Sequence, residues 1–422
     1  MSKLGFFLRG RLGAASLLLT GSMAAQAISL LVSPVLTRIY AADEWGSYAL
    51  YTSAIAVLAL LSSARYDSAV ITPRSDAIAR ALVALVVLIS LAVLPIGAAL
   101  LIGWSQIAPG VLGEQFGRPW LWVLPLGVFL TAVQTGYTVY LLRNARYGDI
   151  AAARIAGSLI SAALSVAFGW LHFGVWGLLL SSLAALFIVA TMTWAMSGLP
   201  LWPRVSRRRL VVVAKRYINY PRVDLPSSLI GVLGSQLPTL LLGACFGSSF
   251  LGFYVLVDRV LLAPLNTVGG AIGSVFRVRA TKLAATTGGF SQEYSSTFFL
   301  LLVPATGIFV PMMIFGEAIF MTIFGAQWST AGQIAEALSP LYFIRLLASP
   351  LSSSLYVRNR MKIDLIGQLM FAASSLASMV IGWSLGDPWV ALRLIVVINS
   401  SIYAMYLAYG WRIALVESSR GY

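Results

Sequence analysis

The stretch Ile155–Pro203, IAGSLISAALSVAFGWLHFGVWGLLLSSLAALFIVATMTWAMSGLPLWP, runs for 49 residues without a Lys, Arg, Asp or Glu. A helix crosses the hydrocarbon core with roughly 20 apolar residues, so this stretch holds two such helices joined by the short turn Trp170-Leu171-His172-Phe173-Gly174. A second uncharged run, Leu12 to Thr37, covers 26 residues. Transmembrane β-strands would instead alternate in segments of about ten residues. The whole chain follows the same rule. Of its 422 residues, 59% are hydrophobic and 10% charged, with a mean hydropathy of +0.87, against about 25% charged in soluble domains. The fold class is an all-α integral membrane protein.

Hydropathy predicts twelve spans, at residues 14–37, 46–64, 80–103, 120–142, 151–169, 174–196, 226–246, 250–276, 295–315, 333–356, 363–384 and 389–411. The basic residues orient them. With the N-terminus placed in the cytoplasm, 24 of the 29 Lys and Arg fall on the cytoplasmic side. Arg38 and Arg118 fall outside, and Arg259, Arg345 and Arg393 lie within spans. The positive-inside rule demands such a split, so both termini are expected to be cytoplasmic. The N-terminal apolar run exceeds the roughly 7–15 residues of a signal-peptide core and is read as a retained first helix. Trp45, Trp104, Trp120, Trp170, Trp328, Trp383 and Trp389 fall near outer ends and are expected to anchor in the headgroup zone.

Composition excludes several chemistries. One cysteine, Cys245, permits no internal disulfide, and one histidine, His172, leaves too few ligands for a zinc site. His172 is read as part of a tight interfacial turn. The basic residues are spread over seven short segments, which is no nucleic-acid footprint but suits anionic lipid headgroups. No G-x-x-x-x-G-K-[ST] loop occurs, so no cofactor is expected and energy must come from an ion gradient, H+ or Na+, or from substrate supply.

The longest polar segment divides the chain into an N-terminal six-helix lobe (1–196), a cytoplasmic basic linker (197–224) and a C-terminal six-helix lobe (225–422). Within the linker, Arg207 to Tyr217 reads as an interfacial amphipathic helix. Trp45-Gly46-Ser47-Tyr48 opens helix two and Leu251-Gly252-Phe253-Tyr254 opens helix eight, an echo that suggests parallel repeats with a substrate path at their interface.

Ionisable residues deep in spans mark candidate sites. Asp258 and Arg259 lie about eight residues, or roughly 12 Å, inside helix eight, and Arg345 about twelve residues, or roughly 18 Å, inside helix ten. Arg393, near the end of helix twelve, is placed to snorkel. Arg carries a planar fork that matches paired phosphate oxygens, so the path is read as an anion site. Arg65 and Asp67, at the inner end of helix two, are candidates for its cytoplasmic mouth, and Arg38 for the outer one. The same charges have an ordinary helix-end reading. Pro34, Pro95, Pro125, Pro264, Pro304, Pro311 and Gly269-Gly270 are expected to interrupt helices where a cavity or neighbours satisfy the backbone.

Leu31-Val32-Ser33-Pro34-Val35-Leu36-Thr37-Arg38-Ile39-Tyr40, Trp45-Gly46-Ser47-Tyr48, Arg65-Tyr66-Asp67 and Pro73 resemble the polysaccharide-transporter family, the Wzx-type flippases of O-antigen and exopolysaccharide repeat units. Lys215-Arg216-Tyr217, Tyr220-Pro221, Ser235-Gln236-Leu237-Pro238, Gly252-Phe253-Tyr254, Arg259 and Pro264 carry the match into the second half. The resemblance implies the multidrug/oligosaccharidyl-lipid/polysaccharide exporter fold, two lobes around a central cationic cavity in a bacterial inner membrane. It implies an undecaprenyl-diphosphate-linked oligosaccharide as substrate, with polysaccharide polymerase and chain-length machinery as partners. Arg65 and Arg259 occupy the motif arginines and, with Arg345 and Arg38, form the expected head-group set. Asp258 stands where the family often has a neutral polar residue; it is the first candidate for ion coupling, with Asp67 second, and equally reads as a local charge partner for Arg259 or another arginine. A multidrug exporter of the same superfamily is the alternative, although its cationic cargo calls for more deep carboxylates. A membrane polymerase or ligase would carry a large outer loop, whereas the outer loops here, about 104–119 and 316–332, are short.

Overall fold

A computed structural model describes residues 2–107, 120–200, 205–286, 289–358 and 360–415, and these residues form helices and turns with no strand among them. Twelve helices are long and apolar enough to cross a membrane among the described residues. In order they are Thr20–Ile39, Ala42–Ser63, Asp76–Gly97, Val123–Arg143, Tyr147–Trp170, Val175–Ser197, Tyr220–Phe246, Ser248–Ala284, Ser291–Phe324, Ala326–Val357, Lys362–Leu385 and Pro388–Leu415. They are called helices one to twelve below, and each coincides with a span read from hydropathy.

The chain divides into two compact units, Met1–Gln236 and Leu237–Tyr422. The boundary falls within helix seven, and the basic segment before it packs in the first unit. In that unit helix two packs on four, three on four, four on six, five on six, and one on five. In the second unit eight packs on ten, nine on ten, ten on twelve and eleven on twelve. The first four pairings thus recur six helices later.

Apolar burial contributes little to helix association in lipid, and close backbone approach takes its place. Helices nine and ten cross where a Cβ on Gly332 would stand 2.4 Å from Glu317 Cα. Only glycine fits there. Phe315 leaves helical geometry four residues after Pro311 (φ −124°, ψ 17°). Glu336 accepts a hydrogen bond from the Glu317 N–H at 2.9 Å, replacing a backbone partner beside the kink.

Two tryptophans depart from the expectation. Trp45 is 1% exposed and Trp328 0%, so both are core residues rather than headgroup anchors. Trp328 meets the Phe253 ring edge-on, with centroids 5.5 Å apart. Position near a span end does not distinguish an indole facing lipid from one facing the bundle. Trp170 and Trp383 are exposed, as expected of anchors, while Trp389 is half-buried against Phe250. The side chains of Trp104 and Trp120 lie outside the described set. His172 occupies the turn between helices five and six with left-handed backbone (φ 58°).

Proline and glycine predict two of the breaks, the Phe315 kink after Pro311 and the one after Pro264. Pro264 is followed by a π-helical turn, Leu265–Gly269, that splits helix eight. A second π turn, Tyr220–Asp224, contains Pro221 and opens helix seven. Such turns insert one residue into the ladder and frequently mark functional sites. Pro34, Pro95, Pro125 and Pro304 lie inside continuous helices.

Candidate functional site

The sequence-derived candidates fall into two clusters, one in each unit. The first forms where helix two ends. Ala64 and Arg65 both adopt left-handed backbone (φ 47° and 60°), which costs energy for residues with a Cβ. The Arg65 N–H is received by Ser63 Oγ at 3.2 Å, and the chain enters the single helical turn Tyr66–Ala69. This double step redirects Arg65 out of the helical path. Its Nε donates to Asp224 Oδ2 at 2.7 Å, and its Nη1 lies 3.8 Å from Asp67 Oδ2.

The surrounding contacts fasten the same two segments. The Tyr66 hydroxyl donates to the Ala214 carbonyl at 3.1 Å, and Thr72 Oγ1 shares a hydrogen bond with the Tyr220 hydroxyl at 2.7 Å. Ala214 belongs to the basic helix Arg207–Arg216, capped by Ser206 Oγ accepting from the Arg209 N–H. Val213 is its buried contact, packed in a cluster with Tyr66, Val70, Leu82 and Tyr140. Val211 and Val212 remain exposed. The helix presents guanidinium groups beside exposed valines, a pattern that suits a headgroup boundary.

The second cluster joins helices eight, ten and twelve. Tyr254 and Asp258 stand four residues apart on helix eight, and Tyr342 and Arg345 three apart on helix ten, so each pair shares a helix face. The Tyr342 hydroxyl donates to Asp258 Oδ1. The Arg345 guanidinium carbon lies 5.7 Å from the Tyr342 ring centroid, within cation–π range. Asp258, Tyr254, Tyr342 and Tyr403 all interact electrostatically with Arg345. One carboxylate, one guanidinium and three phenols thus meet at mid-helix. Asp258 and Arg345 are half-buried.

Three further arginines are singled out by the sequence. Arg259 follows Asp258 on helix eight and is half-buried, and Arg38 is exposed at the end of helix one. Arg393 is exposed, in keeping with snorkelling. Sequence reading did not include Asp224, Tyr254, Tyr342 or Tyr403 among the candidates. The spacing Tyr254-x-x-x-Asp258 and Tyr342-x-x-Arg345 signals the second cluster on each helix separately, but no local spacing joins Asp224 to an arginine 159 residues away.

Residues 35–333 match the family described as polysaccharide biosynthesis protein. The chain belongs to that family. This agrees with the family expected from the motifs around Arg65 and Arg259. The succinoglycan biosynthesis transport protein ExoT of Rhizobium meliloti (strain 1021) is 24% identical over 327 residues, an alignment covering 72% of this chain and 61% of that protein. Among solved structures, the lipid II flippase MurJ in an inward closed conformation matches with a TM-score of 0.69 at 12% identity, covering 94% of this chain and 90% of that one. A transporter of the multidrug/oligosaccharidyl-lipid/polysaccharide superfamily from Pyrococcus furiosus matches with a TM-score of 0.55 at 14% identity, covering 95% of each chain. The chain therefore shares the fold of these solved transporters and, with its twelve long apolar helices, is a multi-pass membrane protein.

Proposed function

We propose that this protein is a flippase of the bacterial inner membrane, carrying an undecaprenyl-diphosphate-linked oligosaccharide from the inner to the outer leaflet by alternating access. The observation that carries the reading is the placement of guanidinium groups. Arg65 terminates helix two beside the basic linker, and Arg345 lies half-buried at mid-helix ten. Guanidinium binds paired phosphate oxygens through two parallel hydrogen bonds, while the polyprenyl chain is free to remain in lipid.

Arg65 is the proposed first contact for the diphosphate, with Arg345 and Arg259 completing the polar route and Arg38 near its exit. Both termini are placed in the cytoplasm, following the distribution of basic residues. Membership of a polysaccharide biosynthesis family supports a saccharide cargo. Polysaccharide polymerase and chain-length machinery are the proposed downstream partners. Asp258 is the proposed coupling residue: a carboxylate held by a phenol and faced by a guanidinium can exchange a proton or Na+ as Arg345 moves. Asp67, beside Arg65, is the second candidate.

The deciding experiment measures lipid-linked saccharide in cells lacking the gene, together with surface polymer. Undecaprenyl-diphosphate oligosaccharide is expected to accumulate on the inner face while surface polysaccharide is lost. A normal pool with normal polymer, in a strain without an overlapping carrier, would refute the flippase and direct attention to drug efflux.

A further inference from the structure

The Arg65 cluster holds one guanidinium between two carboxylates, so its formal charge is −1. A diphosphate cannot simply add to it. Its guanidinium is already engaged by both carboxylates, and the Nε–H an incoming anion needs is donated to Asp224. For Arg65 to bind an anionic head group, one carboxylate must leave.

The two carboxylates differ in their freedom to do so. The Asp67 side chain is 6% exposed and sits in the turn directly after Arg65, so its position is fixed by the same short helix. The Asp224 side chain is 39% exposed and closes a π turn. That turn's ladder carries one residue more than an α-helix accommodates, an irregularity frequent at functional sites. Asp224 is therefore the mobile partner. It also stands immediately before Leu225, where the regular part of helix seven begins.

We infer that Asp224 is an internal stand-in for the substrate's diphosphate, a latch on Arg65 that the head group must displace. In the latched state Arg65 Nε is committed and the start of helix seven is tied to the end of helix two. Phosphate oxygens replacing Asp224 Oδ2 keep Arg65 satisfied and set the Tyr220–Asp224 turn loose. Binding of the head group is thereby converted into release of a helix terminus. Asp67 stays behind as the fixed counter-charge that keeps Arg65 oriented when neither Asp224 nor substrate is engaged. Ligands too weakly charged to compete with a carboxylate leave the latch closed, so Asp224 also acts as a selectivity filter for dianionic head groups. The inference rests on the reading of Arg65 as the diphosphate contact.

The test uses the full chain in nanodiscs with undecaprenyl diphosphate as probe. Arg65→Ala is expected to abolish binding. Asp224→Asn, which cannot compete as an anion, is expected to bind about fivefold tighter than wild type, the gain from removing a competing closed state. In wild type, the probe is expected to accelerate backbone hydrogen exchange over residues 220–228, and Asp224→Asn is expected to show that faster exchange without probe. Arg65→Ala binding like wild type overturns Arg65 as the anchor. Arg65→Ala losing binding while Asp224→Asn binds no tighter, or while the probe leaves exchange at 220–228 unchanged in wild type, overturns the latch alone. If Asp224→Asn does not reach the membrane intact, the exchange response of wild type decides the matter.

Discussion

The hydroxyl of Tyr342, on helix ten, donates to Asp258 Oδ1, on helix eight, while the guanidinium of Arg345 lies 5.7 Å from the centroid of the same ring. One aromatic side chain thus touches both the negative and the positive member of the mid-helix cluster. Tyr342→Phe keeps the ring and removes the hydroxyl. Hydrogen bonds to charged groups contribute about 1.5–3 kcal/mol, so gradient-driven transport in proteoliposomes is expected to fall roughly tenfold or more with expression retained. Wild-type transport in Tyr342→Phe would show that the phenol plays no part in setting Asp258.

Asp258→Asn separates charge from shape. The asparagine carbonyl still accepts from Tyr342, so the fold is expected to persist, while the exchangeable carboxylate is gone. Transport driven by an imposed H+ or Na+ gradient is expected to become insensitive to that gradient, with downhill exchange surviving. Retained gradient dependence would remove Asp258 from coupling and leave Asp67 as the residue to test.

Arg345→Lys keeps the charge and discards the planar fork. An ammonium cannot stack on Tyr342 and reach two oxygens together in the manner of guanidinium. Cation–π stacking contributes about 0.5–2 kcal/mol, so transport is expected to drop severalfold, whereas Arg393→Lys, on an exposed position, leaves it unchanged. Equal effects at the two positions would place Arg345 outside the substrate route.

The contrast between these arginines shows where sequence reading succeeds and where it stops. Hydropathy locates all twelve helices, because a bilayer demands one long apolar run per crossing. Depth within a run also separates Arg345 from Arg393. What the run cannot convey is rotation about the helix axis and pairing across the lobe. Trp45 and Trp328 sit at span ends yet face the bundle, and Asp224 reaches Arg65 only because two left-handed residues redirect the chain. Arg65 and Arg345 are legible one by one, while Asp224, Asp258, Tyr254 and Tyr403 reach them from other helices.

Tyr40 offers a pH test away from the two charged clusters. It is 1% exposed and donates to the Ser165 carbonyl at 2.7 Å. Burial, with the Glu44 carboxylate nearby, pushes its phenol up to about 12. Because the folded value is raised, its contribution is fully present below the ordinary phenol value of about 10 and is lost as pH rises through the folded value. Tyr40→Phe is therefore expected to lower stability by about 1 kcal/mol, equally at neutral and mildly alkaline pH. A loss that shrinks between neutral and mildly alkaline pH would show that the phenol already ionises there.

Gly332 tests the close-approach account of helix packing. An added Cβ would stand 2.4 Å from Glu317 Cα, a backbone atom that cannot move aside alone. Gly332→Ala is expected to force helices nine and ten apart at a cost of about 1–3 kcal/mol, read as a lower melting temperature in detergent. Separation also draws Glu336 away from the Glu317 N–H it serves beside the Phe315 kink. Glu336→Ala should therefore destabilise on its own, and the double variant should lose less than the sum of the two, since both act on one crossing. Full additivity would mean that the glycine contact and the carboxylate bond hold the helices independently.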